Sequence, residues 1–372
     1  MVMRVFGASV AVTIVSLLVA FFYGGVEALI LCAILGVLEV SLSFDNAVVN
    51  AKILERMSEF WQKIFLTVGI LIAVFGMRLV FPLLIVGVTA QLNPIEAVQL
   101  ALEQGDPEEP GSYGYLLGQA HPQIAAFGGM FLLMLFLEFI FEEREIHWLT
   151  FIERPLARIG QLDKVSVVVA GIALVLTGEL LATDEERGTV MVSGVLGLAT
   201  YIAVNGLGNL FESTQDETEP DGVASQPGGP STIAKATGKA GFFLFLYLEV
   251  LDASFSFDGV IGAFAITPDP IIIALGLGFI GAMFVRSITI FLVRKGTLAE
   301  YVHLDHGAHW AIGALATILL LSVHFEIPEV VTGLIGVAFI GAAFATSVVY
   351  KRRHGEHLVG PSADAEDVHA GS

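Results

Sequence analysis

Apolar runs long enough to cross a bilayer recur along almost the whole chain. They lie near residues 3–22, 26–51, 65–89, 124–141, 165–182, 189–210, 241–265, 270–293, 308–325 and 328–350. A helix needs about 20 consecutive apolar residues to span the hydrocarbon core. Backbone groups there find no partner but each other, so each run is expected to be helical. Mean hydropathy is +0.79 and charged residues make up 15% of the chain, far from the balance of a soluble domain. A membrane β-barrel would instead show short alternating segments. The expected fold class is an all-α polytopic membrane protein with about ten transmembrane helices.

The N-terminal run follows Arg4 and resembles a signal peptide. No small-residue cleavage site follows it, so residues 1–25 read as a retained first helix. Residues 26–210 form a first half with extra helices, and 241–350 a second half. Between them, 211–240 is rich in Pro, Gly, Ser, Thr and acid and reads as a flexible linker. The tail 351–372 opens Lys351-Arg352-Arg353, then turns small and acidic, the composition of a disordered segment. Residues 90–123 are a second polar stretch, with Glu96, Glu103, Asp106, Glu108 and Glu109 and no Lys or Arg. The single cysteine, Cys32, excludes an intramolecular disulfide. The net charge of -19 comes without a basic stripe, which argues against nucleic acid.

Placing the N-terminus inside puts fifteen of the eighteen Lys and Arg on the inner side and Arg187 alone outside. Arg78 and Arg286 remain within the membrane. This asymmetry is the positive-inside pattern, and it implies both termini on the cytoplasmic side of a plasma membrane.

One acidic signature occurs twice inside these runs. The first copy is Glu39-Val40-Ser41-Leu42-Ser43-Phe44-Asp45-Asn46. The second is Asp252-Ala253-Ser254-Phe255-Ser256-Phe257-Asp258-Gly259, with Glu249 ahead of it. In the expected topology the two copies run in opposite directions, which makes the halves inverted repeats. Each is followed by a helix bearing an arginine, Arg78 or Arg286. Carboxylates in hydrocarbon are costly, and usually line a substrate or ion path. Residues six apart on a straight helix point about 120° apart, so convergence of all five acids predicts a break near Phe44-Asp45-Asn46 and another near Phe257-Asp258-Gly259.

The candidate ligands are all oxygen: Glu39, Asp45, Asn46, Glu249, Asp252 and Asp258, with hydroxyls from Ser41, Ser43, Ser254 and Ser256. Such a set suits Mg²⁺, Ca²⁺ or Mn²⁺ rather than zinc or copper. Arg78 and Arg286 read as counter-charges. A purely structural network, with each Asp locked to an Arg, is the plainer alternative. Glu138 and Glu179 lie near helix ends and read as interfacial. His303, His306 and His309 read as a solvated helix start, or as a weak metal entry point.

These residues resemble the TerC family of integral membrane proteins. The resemblance rests on Phe44-Asp45-Asn46, on Glu249-x-x-Asp252 leading to Phe257-Asp258, on the arginine helices, and on Phe127-Gly128-Gly129-Met130-Phe131-Leu132. It covers most of residues 26–350, and is closest to a bacterial branch of unassigned function. It implies manganese export and a link to tellurium resistance, with Asp45, Asn46, Glu249, Asp252 and Asp258 as cation ligands. Asp258-Gly259 departs from the family's usual Asp-Ser. The expected function is a secondary transporter that exports a divalent cation, Mn²⁺ foremost, by alternating access against protons. It would hold no permanent cofactor and be no enzyme; its partners would be the cation, protons and the lipid bilayer. No Gly-x-x-x-x-Gly-Lys loop binds nucleotide. A membrane scaffold or assembly factor is the alternative. An intramembrane aspartyl protease fits less well, because the Gly-x-Gly-Asp context is absent.

Overall fold

The computed structural model describes residues 2–216, 236–295 and 301–354, apart from 43, 70, 73, 74, 77–79, 145, 163 and 268. Within these, the side chains of 2–4, 41–45, 81, 85, 88, 89, 207–216, 255–259, 261, 262, 264, 265, 294, 295, 329, 330, 353 and 354 lie outside the description. So do most of the expected linker and nearly all of the tail.

The chain is all-α. In order come α1 (Val2–Leu42), α2 (Phe44–Glu55), α3 (Glu59–Ile64), α4 (Phe81–Thr89), α5 (Pro94–Leu102), α6 (Tyr113–Gln119), α7 (His121–Phe141), α8 (Thr150–Ile159), α9 (Val165–Leu180), α10 (Arg187–Asp216), α11 (Gly238–Ile266), α12 (Pro270–Ile273), α13 (Ala282–Lys295), α14 (Leu304–Leu321) and α15 (Glu329–His354). Among the described residues, six spans are long and apolar enough to cross a membrane. The outer faces support this. Val192, Val195 and Leu196 of α10 are exposed, whereas Gly194 and Gly197 press against Leu174 and the Phe127 backbone. Small residues inward and large apolar ones outward is the pattern of helices packed in lipid.

The first two expected segments are one element, α1, with a sharp reversal. Ser9 Oγ donates to the Met283 carbonyl at 2.7 Å. Glu39 packs so closely on Gly281 that a methyl there would overlap its side chain. A straight helix would separate Ser9 and Glu39 by about 45 Å. Both meet residues 281–283, so the chain must turn back between them. It does so at Gly24 and Gly25, where Gly25 has φ +72°. Glycine adopts that conformation without Cβ strain. A serine clasp fastens the first arm, with Ser9 Oγ and Ser287 Oγ 2.6 Å apart.

Loops alternate between two ends. At the basic end, Lys52 meets Asp305 and Glu153 of α8 meets His306. At the other end, Gln104 donates to Tyr23, and His324 stands 3.1 Å from the Leu181 carbonyl. The polar stretch 90–123 is folded: Asn93 and Glu96 form a reciprocal cap on α5, and Ser112 caps α6. The helix α10 also runs on to Asp216, into the segment read as linker.

The arginine helices share an unusual feature. Phe65–Gly69, continuing α3, and Ala274–Gly281, continuing α12, are both π-helical. They begin thirteen residues before Arg78 and twelve before Arg286. π-Helical turns are rare and cluster at functional sites, so a matched pair is informative.

Candidate functional site

The helices carrying the two acidic copies are antiparallel. Beyond the end of α2, Met57 bridges Ala236, just ahead of α11; the Ala236 N–H donates to the Arg56 carbonyl at 2.8 Å. Counting from that junction at 1.5 Å per helical residue gives depth. Asp45, Asn46, Glu249 and Asp252 lie about 16–24 Å from it, near the middle of a bilayer core of about 30 Å. Glu39 and Asp258 lie about 27–33 Å from it, one tier further. By this backbone count the acidic residues stand at two levels along their helices.

The residues whose side chains are described are almost wholly withdrawn from the surface. Relative exposure is 2% for Glu39, 3% for Asn46, 6% for Glu249 and 7% for Asp252. The side chains of Asp45 and Asp258, and all of Arg78, lie outside the described residues. Among the described residues, no three carboxylate, imidazole or thiol groups stand close enough to share an ion. Arg286 is placed: its Nε donates to the Leu66 carbonyl at 2.9 Å, which ties the second arginine helix to the first π segment.

One expectation fails. The helix α11 runs unbroken from Gly238 to Ile266, straight through Phe257-Asp258-Gly259. Gly259 tolerates an irregular backbone but does not require one. In the first copy, Phe44, Asp45 and Asn46 are themselves helical, and the division between α1 and α2 falls at Ser43, outside the description. The irregular backbone sits instead in the π segments of the arginine helices. Each lays a glycine on an acid of the opposite copy, Gly69 on Glu249 and Gly281 on Glu39. A Cβ on Gly69 would stand 2.5 Å from Glu249 Oε1.

The buried oxygens without a hydrogen-bond partner among the described residues include Glu249 Oε1 and Asn50 Oδ1. Leaving such a group unpaired costs about 1–3 kcal/mol, and more when it is charged. Sequence reasoning missed Asn50. It lies one turn from Asn46 on α2, on the same helix face, and is 2% exposed.

Toward the basic end, a cavity of about 480 Å³ opens between α2, α7, α9, α10 and α11. Its deep end is lined by Val49 and Tyr247, within about 5 Å along the axis of Asn46 and Glu249. Glu138 faces it, exposed near the end of α7 as an interfacial residue would be, and accepts from Tyr201 Oη at 2.7 Å and from Asn205 Nδ2 at 3.1 Å. Glu179 fits the interfacial reading, being exposed and 3.7 Å from Arg187.

The three histidines are not solvated. His303, His306 and His309 are all buried. His306 Nδ1 stands 3.2 Å from the Glu153 carboxylate, which also accepts from Trp310 Nε1 at 3.0 Å and the Trp148 N–H at 2.9 Å. Burial alone would raise the Glu153 carboxyl, but the His306 and Trp310 hydrogen bonds and the His306 charge outweigh it and hold it at about 2. Asp305 meets Lys52, Arg144 and His309. This cluster locks α8 and α2 to the start of α14.

Compared with known proteins, residues 44–354 match a family model described as a protein of unknown function, DUF475. No curated protein and no solved structure matches the chain.

Proposed function

We propose that this chain, which belongs to the DUF475 family of unknown function, is a secondary transporter for a divalent metal cation, with Mn²⁺ the foremost candidate. One observation carries the reading. The Glu249 carboxylate is buried at mid-membrane depth with Oε1 unpartnered among the described residues, near Asp252 and at the helical level of Asn46. A hard cation supplies what such oxygens lack, and they match its preference for oxygen donors. Asp45 completes the ligand set, with Glu39 and Asp258 in the further tier; Arg78 and Arg286 offset charge when no cation is bound. The antiparallel motif helices and matched π segments support two inverted halves that rock around one midplane site. The TerC resemblance supports manganese and the outward direction. Protons are the natural counter-ion, because desolvation favours the neutral acid whenever the metal leaves.

The test is Mn²⁺ flux in proteoliposomes, with Mg²⁺, Ca²⁺ and Zn²⁺ as competitors and with pH gradients of both signs. Saturable flux should appear, and Asp45→Asn or Asp258→Asn should abolish it in folded protein. Absence of flux for every cation would favour the scaffold reading.

A further inference from the structure

The segment that joins α7 to α9 carries features that the acidic tiers do not use. Its helix α8 presents three faces. Residues four apart on a helix point about 40° apart, so Glu153 and Ala157 share one face and Arg154 and Arg158 the next. Phe151, Pro155 and Ile159 share the one after. The first face is buried, and Glu153 ties it to His306 of α14. The second carries two exposed guanidinium groups. The third is apolar yet exposed, Phe151 by 76% and Ile159 by 46%. This helix lies at a membrane boundary, because α7, a membrane-length span, ends at Phe141 and the apolar helix α9 opens at Val165. An amphipathic helix so placed rests in the interface plane, with its apolar face against the acyl chains. Beside the arginine face is a pocket of about 170 Å³. Its wall carries Arg144, Arg154 and Arg158, with His147, Gln161 and the exposed Glu143. Arg144 Nε is buried without a hydrogen-bond partner among the described residues. The buried ion pairs of this end engage Glu153 and Asp305, not Arg154 or Arg158.

We propose that this pocket binds the phosphate of an anionic phospholipid, whose acyl chains lie along Phe151 and Ile159. A water occupies about 30 Å³ of liquid, so the pocket holds the volume of about six waters, which suits one phosphate group. Guanidinium forks match phosphate oxygens in geometry and charge. Three arginines outnumber Glu143 on the wall, and basic pockets beside membrane helices hold acidic headgroups in this way. A soluble phosphate would leave the adjoining apolar face without a role, which selects the lipid. The proposal stands apart from the transport reading, since it uses none of the acidic residues of α2 and α11.

The test is native mass spectrometry of the full chain, stripped of lipid in detergent and titrated with phosphatidylglycerol or with phosphatidylcholine of the same acyl chains. Wild type should bind the first phosphatidylglycerol about fivefold more tightly than the first phosphatidylcholine. Arg154→Gln with Arg158→Gln should remove that preference. The two corresponding Lys substitutions should keep part of it, since charge remains and the planar fork is lost. Lys63→Gln, which removes another exposed cation, should leave it intact. Arg158→Gln alone serves should the double variant fail to fold, and should at least halve the preference. Millimolar inorganic phosphate should not displace the lipid. A preference that survives in both Arg→Gln variants, or that Lys63→Gln removes equally, would overturn the proposal. Displacement by inorganic phosphate would overturn it too, in favour of a soluble anion.

Discussion

Two groups of carboxylates stand on this bundle, and they differ in what their oxygens touch. At the basic end, Glu153 is filled by His306, Trp310 and the Trp148 N–H, and Asp305 by Lys52, His309 and Arg144. At mid-depth, Glu249 is as deeply withdrawn, yet Oε1 has no partner among the described residues. Burial alone thus does not mark a functional acid. A satisfied carboxylate ties helices together, and an unsatisfied one requires an explanation, for which the proposal supplies a cation.

The sharpest break of this comparison is Glu153→Ala. Removing one partner of a buried, hydrogen-bonded pair costs about 3–5 kcal/mol. Thermal unfolding in detergent should show the loss as a large fall in midpoint, while flux per folded molecule stays near wild type. Glu249→Gln should behave oppositely. Mn²⁺ flux should fall about 100-fold, equivalent to about 2.7 kcal/mol, with stability unchanged or raised because a buried acid beside Asp252 has been removed.

Acid titration sharpens the contrast. The Glu153 carboxyl is held at about 2, below the usual carboxylate range near 4.3. Its contribution to stability is therefore complete above about 4.3 and is lost as pH falls toward 2; its size is on the order of 3 kcal/mol. Melting curves from pH 5 to 2 should show that loss in wild type, and Glu153→Gln should remove this component.

Smaller effects follow from the packing around the acids. Gly69→Ala puts a methyl against Glu249 Oε1, and overpacking of this kind costs about 1–3 kcal/mol. Flux should fall more than the melting point does if, as proposed, the displaced atom is a ligand oxygen. Asn50→Ala, the mildest change, should weaken apparent Mn²⁺ affinity about tenfold, or about 1.4 kcal/mol, without destabilising the bundle. A saturation curve of flux against Mn²⁺ reads this directly.

Much of this was legible in the sequence. Apolar length anticipated an all-α membrane bundle, and Gly24-Gly25 falls in the gap between the first two runs. The Lys and Arg asymmetry anticipated which loops share an end, and the repeated acids singled out α2 and α11. Other features depend on partners far along the chain. The solvated reading of His306 failed because Glu153 lies 153 residues away. The donors that hold Glu138 escaped notice because Tyr201 is 63 residues on. Asn50 was within reach, since a second Asn four residues after Asn46 shares its face. The expected break at Asp258 assumed that five acids must converge at one level. The structure spreads them over two tiers along helices that need not unwind, and moves the irregular backbone to the arginine helices, whose sequences carry no evident π signal.

The most direct test of the central claim is a Mn²⁺ binding isotherm, read by electron paramagnetic resonance of free Mn²⁺, on detergent-purified wild type, Glu249→Gln and Glu153→Gln. The account predicts saturable binding in wild type, retained in folded Glu153→Gln and lost in Glu249→Gln. Equal binding by wild type and Glu249→Gln, or loss in Glu153→Gln alone, would contradict it.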